Sequence, residues 1–163
     1  MRLRLLSEMP MKQGNDLSSP IQISRSGSLV NIDGGSHGSL SIAQCPNTDN
    51  LRLWSVRYSA ASKGFGPLLY DIAMEWATAN GDGLMSDFAT TTSNAAQRVW
   101  DYYLGRRKDV QHHPIPTTIL NKIADYVQRM TGVRSLLTGS SAYYYSKQPV
   151  QMKELLQSGL LTQ

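Results

Sequence analysis

Val56-Arg-Tyr-Ser-Ala-Ala-Ser-Lys-Gly-Phe-Gly-Pro67 runs straight into Leu68 to Ala79. Before it, Leu51, Leu53, Val56 and Tyr58 form an extended run that enters a turn of small residues. The turn ends in Gly64-Phe-Gly66, and Pro67 suits the first position of a helix, where its missing N–H is not needed. Leu68, Leu69, Ile72, Ala73, Trp76 and Ala77 then recur on one helical face until Asn80-Gly-Asp-Gly83 stops the pattern. Strand, glycine turn and helix start together aim unpaired backbone N–H groups and the positive end of a helix at one point. An anion, phosphate above all, fits there. A plain tight corner is the other reading of the same glycines.

Two glycines fall short of the three in the dinucleotide-binding fingerprint, and no Gly-Lys-Ser/Thr follows as in a P-loop. The stretch resembles the pyrophosphate loop of the GNAT superfamily of N-acetyltransferases. There a strand valine is followed by an Arg or Gln and then by x-x-Gly-x-Gly/Ala at the start of a helix. Val56, Gly64 and Gly66 stand at the matching places; Ala61 takes the Arg/Gln place, and Lys63 is the nearest base.

A second resemblance lies in Ser93-Asn-Ala-Ala-Gln-Arg-Val-Trp-Asp-Tyr-Tyr-Leu-Gly105. GNAT proteins often carry Asn-x-x-Ala-x-x-x-Tyr-x-x-x-Gly. Aligned on Ala96, Ser93 takes the Asn place, Trp100 the tyrosine place, and Leu104 the glycine place one short of Gly105. The two motifs span about residues 51–110. Ser86-Asp87 followed by Ala-Ala-Gln-Arg-Val-Trp looks most like acetyltransferase-like proteins of bacteriophages.

The resemblance implies an α+β fold: a mixed, mostly antiparallel twisted sheet, helices on both faces, and a central parallel pair of strands that splay apart. It implies acetyl transfer from acetyl-CoA to an amine on a small molecule or protein. The diphosphate would lie on the N–H groups of Lys63, Gly64, Phe65, Gly66 and Leu68. The pantetheine arm would pair with the backbone near Val56 and Tyr58, with Ser93 and Asn94 beside it at the start of the next helix. An indole N–H has no accessible acidity, so Trp100 cannot protonate a thiolate. Tyr103, on the same helical face, is the first choice for that acid and Tyr102 the second. Asp87, at the end of a short strand where open α/β sheets place ligands, is either the base or a loop-orienting residue. The family's two N-terminal helices have no counterpart in the sequence.

The rest of the chain reads as one domain of 163 residues. Strand candidates are Arg2–Leu6, Pro20–Ile23, Leu29–Ile32, Leu40–Ala43, Gly83–Ala89, Asp109–His112 and Ala142–Ser146, the last a sheet edge open to pairing between chains. Further helices are expected from Asn94 to Gly105, from about Thr117 to Met130 with Gly132 as its cap, and after Pro149.

Hydrophobic residues make up 40% and charged residues 17%, enough apolar material for a core. No apolar run approaches the roughly 18 residues of a membrane span. One cysteine leaves no internal disulfide and fits a reducing compartment, here a host cytoplasm, with a virion as the other placement; together with three histidines it disfavours a zinc site. The net charge of +4 is uneven: residues 1–97 carry −1 and residues 98–163 carry +5. A basic half attracts nucleic acid or a phosphorylated cofactor alike. Three functions follow in order: an active N-acetyltransferase, a GNAT-fold protein kept for virion or host contacts without turnover, and acyl transfer to or binding of nucleic acid.

Overall fold

A computed structural model describes residues 12–46, 48–88 and 94–163, apart from the side chains of Asn15, Asn94 and Ala95. Arg2–Leu6, Thr90 and Ser93 fall outside the described residues. The strands are β1 (Ile21–Ser26), β2 (Leu29–Asp33), β3 (Gly38–Gln44), β4 (Leu53–Ala61), β5 (Gly83–Met85), β6 (Val110–Pro114), β7 (Tyr143–Lys147) and β8 (Leu161–Thr162). The helices are α1 (Gly66–Ala79), α2 (Asn94–Gly105), α3 (Thr117–Thr131) and α4 (Val150–Gln157).

All eight strands form one sheet in the order β6-β7-β5-β4-β3-β2-β1-β8. Only β4/β5 and β1/β8 pair in parallel; the other neighbours are antiparallel. The first three strands form a meander because each buries alternate residues (Ile21 and Ile23, Val30 and Ile32, Leu40 and Ile42) and reverses at a glycine. Gly27, at φ 62, makes the two-residue β1–β2 hairpin. The parallel β4/β5 pair needs a crossover, and α1 supplies it. Gly83 is fixed by space, since a Cβ there would stand 2.4 Å from the Tyr145 carbonyl oxygen.

The sheet separates two apolar clusters. Ile32, Leu40, Trp54, Val56 and Leu84 pack with α1, with Trp100 and Tyr103 of α2, and with Met152 and Leu155 of α4. Cys45, Leu53 and Met85 pack on the other side with Ile119, Ile123 and Val127 of α3. This is the α+β arrangement expected: a mostly antiparallel, GNAT-like sheet with helices on both faces and a parallel pair at its centre. One expectation is corrected. Tyr143–Lys147 is no edge, because β7 lies between β6 and β5, and the sheet edges among the described residues are β6 and β8.

Candidate functional site

β4 and β5 stay together for only three residues: Leu53 faces Gly83, Trp54 faces Leu84 and Ser55 faces Met85. β5 ends there, while β4 runs on to Ala61, paired to β3 alone among the described residues. The stretch from Val56 to Ala61, which has no partner on the β5 side among the described residues, is about 20 Å long at the rise of a strand. The register with β3 slips where the strands part, since Ile42 faces Val56 and Ser41 faces Tyr58, leaving Arg57 as an extra residue. Such a bulge twists a strand away from its neighbour and re-aims its side chains. Arg57, Tyr58, Ser59, Ala60 and Ala61 are all exposed, although the Arg57 guanidinium lies over the Phe88 ring at 5.7 Å.

The open edge leads into the glycine turn. Gly64 has φ 89, a left-handed conformation that only glycine takes without strain. The turn is anchored by Ser62 N–H on the His37 carbonyl at 3.0 Å and by Lys12 N–H on the Gly64 carbonyl at 3.0 Å. The His37 ring stacks on Phe65 at 4.0 Å. Phe65 N–H donates to the Ser62 carbonyl at 3.0 Å and is thereby committed within the turn. Of the other expected donors, the N–H groups of Lys63, Gly64, Gly66 and Leu68 meet no acceptor among the described residues. A Cβ built on Gly66 would meet only the Ala61 Cβ, at 4.0 Å, so that side of the helix start is open.

The α1 side of the opening holds a phenol that sequence reasoning passed over. Tyr70 is buried, yet its hydroxyl lies 3.1 Å from Ser59 Oγ on the open part of β4. Burial raises its pKa above the ordinary value, the Ser59 hydroxyl lowers it, and the Asp87 charge raises it again. Asp87 itself is half-buried just past β5. The signal for Tyr70 was its place beside Leu69 on a helix that starts at the glycine turn: a polar-tipped ring there must end near the strand before it.

The second motif is placed differently. Trp100 is core, packed 5.8 Å from the Tyr70 ring and 5.1 Å from that of Tyr145. Tyr103 is 1% exposed, and its hydroxyl donates to Asp71 Oδ1 at 2.7 Å. Arg107 grips both Asp71 oxygens at 3.1 Å and both Asp109 oxygens at 2.7 Å. Burial and then the Asp71 carboxylate hold the Tyr103 phenol well above its ordinary value. Its proton serves the α1–α2 junction. Tyr102 is half-buried beside it, with ring centres 6.1 Å apart. Ser93 and the Asn94 side chain lie outside the described residues.

Ser59 and Tyr70 thus meet on the open part of β4 beside the glycine turn, and Asp87 follows β5, while Tyr103 faces Asp71. No family model, curated protein or solved structure matches this chain. Among the described residues no helix is long and apolar enough to cross a membrane.

Such an arrangement suits a ligand with an anionic end and an extended, amide-bearing arm. Unpaired N–H groups at a glycine turn and helix start solvate a diphosphate. Twenty-odd ångströms of free strand edge, by the rise per residue, can pair with amides as a strand would.

Proposed function

We propose that this chain is an acetyl-CoA-dependent N-acetyltransferase acting on an amine of a small molecule or protein. The observation that carries the reading is the parting of β4 from β5 after Ser55 and Met85, with the freed edge running into the Gly64–Gly66 turn. The N–H groups of Gly64, Gly66 and Leu68, with Lys63 beside them, hold the diphosphate. The backbone from Val56 to Ala60 holds the arm, and the Ser59–Tyr70 pair walls it on the α1 side. Acetyl-CoA supplies an acyl group activated as a thioester. The amine nitrogen bonds to the acetyl carbon, the C–S bond breaks, and CoA leaves as its thiolate to take a proton from water; Asp87 receives the proton of the attacking amine, directly or through water.

Calorimetric titration with acetyl-CoA tests the reading, with Gly66→Leu as the companion variant. Gly66 lies outside the left-handed region and its Cβ position is open, so this variant folds while its side chain fills the cradle. Saturable binding by the natural chain and none by Gly66→Leu supports the reading. No binding by either, at high micromolar ligand, overturns it.

A second reading is favoured by one observation: the Tyr103 phenol is locked on Asp71. In it the chain keeps a GNAT-like scaffold for contacts with a virion or host protein and does not turn over. Acetyl-CoA bound without acetylation of any amine across a broad panel fits this reading. Transfer that disappears in Gly66→Leu excludes it.

A further inference from the structure

We propose that the Ser86 hydroxyl meets the acyl end of the guest and donates a hydrogen bond to its thioester carbonyl oxygen. The inference rests on the acetyl-CoA reading above and gives a role to a residue outside both the Val56–Pro67 and the Ser93–Gly105 stretches. Among the described residues, two buried side-chain polar atoms have no hydrogen-bond partner, Ser55 Oγ and Ser86 Oγ. Buried hydroxyls are almost always satisfied, so an orphan in a native fold calls for an explanation. These two are not scattered. Ser55 is the last residue of β4 to pair with β5, opposite Met85, and Ser86 follows Met85 directly. Both stand, buried, at the point along the sheet where β4 and β5 part.

The two serines differ in their surroundings. Ser55 has the Cys45 thiol near enough to feel its hydroxyl. Ser86 is 0% exposed and has no such neighbour among the described residues. Leaving a hydroxyl dry and unpaired destabilises the empty protein, and a carbonyl oxygen brought to it relieves that penalty. The position fits the arm's reacting end. A diphosphate on the glycine turn fixes one end of the guest, and the strand edge carries the other end about 20 Å inward, to Ser55 and Ser86. Tyr70 lies only one helical turn, about 6 Å, from Gly66 and so flanks the middle of the arm, not its tip. Asp87, the residue next to Ser86, then stands where an attacking amine would arrive. A donor fixed in a dry site strengthens as charge builds on that oxygen.

Ser86→Ala, measured in the full chain by calorimetry with CoA and with acetyl-CoA and by thermal melting without ligand, tests this. We expect an unliganded melting temperature equal to or above that of the natural chain, since the orphan is gone. We expect unchanged affinity for CoA and an affinity for acetyl-CoA weakened about threefold to tenfold, the effect of one hydrogen bond. A clear fall in melting temperature, an equal loss for both ligands, or no loss for either overturns the assignment. Ser86→Cys, close in volume and a poor donor, repeats the comparison if the alanine variant misfolds. If the natural chain binds no acetyl-CoA, the acetyltransferase reading and this one fall together. If it binds and Ser86→Ala binds equally, only this inference falls.

Discussion

Gly64 and Gly66 have different jobs though two positions apart. Gly64 adopts φ 89, so Gly64→Ala should lower stability by about 1–2 kcal/mol, read from denaturant unfolding. Gly66→Leu should leave the unfolding midpoint near that of the natural chain and remove acetyl-CoA binding. Equal destabilisation by both would mean that the second glycine is also only a corner. Tyr103 is a structural phenol on this account. Tyr103→Phe breaks its bond to Asp71 and should cost about 1.5–3 kcal/mol, as for a hydrogen bond to a charged group, while acetyl-CoA affinity stays the same. Loss of transfer at full stability would restore it as the acid. Cys45 is 7% exposed, and burial pushes its thiol up to about 12. A thiol reagent at pH 8 should label it only as fast as the protein opens; labelling at the rate of a free thiol would contradict the packing.

Between elements, the firmest joint is one that no motif announced. Glu75 of α1 is 0% exposed and pairs with Lys147 of β7. Its carboxylate also accepts Gln151 N–H at 3.2 Å and Met152 N–H at 2.8 Å, closing the first turn of α4. Thr78 adds a fourth tie by accepting Lys147 N–H at 3.0 Å. Glu75→Ala leaves the buried Lys147 charge with only the Asp109 carboxylate, 3.9 Å away, and should cost about 3–5 kcal/mol in urea unfolding. Glu75→Leu combined with Lys147→Met should recover much of that loss; no recovery would show that the capping bonds, not the ion pair, hold the joint. The periodic elements were legible in the sequence because apolar spacing and glycine or proline stops decide them. The α3 helix, its Gly132 cap at φ 79 and the meander lie where the pattern puts them, although Met130, the last apolar position of the α3 stripe, is exposed. Glu75 was hidden because its partners are 72 or more residues away, so the local pattern shows only a charge on an otherwise apolar face. Ser86 was hidden for the opposite reason: its role comes from the lack of a partner, which a sequence does not record. The short β8 carries no periodic signal, having only two residues.

Across the molecule, ionisation should report how the α1–α2 face of the sheet closes. Burial, with nearby carboxylates, raises the phenols of Tyr103, Tyr145 and Tyr70 above their ordinary value. A group raised in the fold contributes stability that is complete below its unfolded value, about 10 for tyrosine, and is lost as pH climbs beyond it. Tyrosinate absorbance should therefore rise in two phases, the later one together with loss of tertiary structure. A single phase near the ordinary value with the fold intact would contradict the burial. Asp109 behaves inversely: hydrogen bonding to Arg107 lowers its carboxyl, so its contribution is present above the unfolded carboxylate value and fades as pH falls through the lowered one. The +5 charge of residues 98–163 should give the protein a general pull on polyanions, which salt should weaken. Site-resolved amide shifts separate that pull from a built site. With acetyl-CoA added to isotope-labelled protein at physiological salt, saturable shifts should appear at Gly64, Gly66, Leu68 and the Val56–Ala60 edge. Shifts confined to the Arg106–Lys108 cluster, or none up to millimolar ligand, would contradict the account.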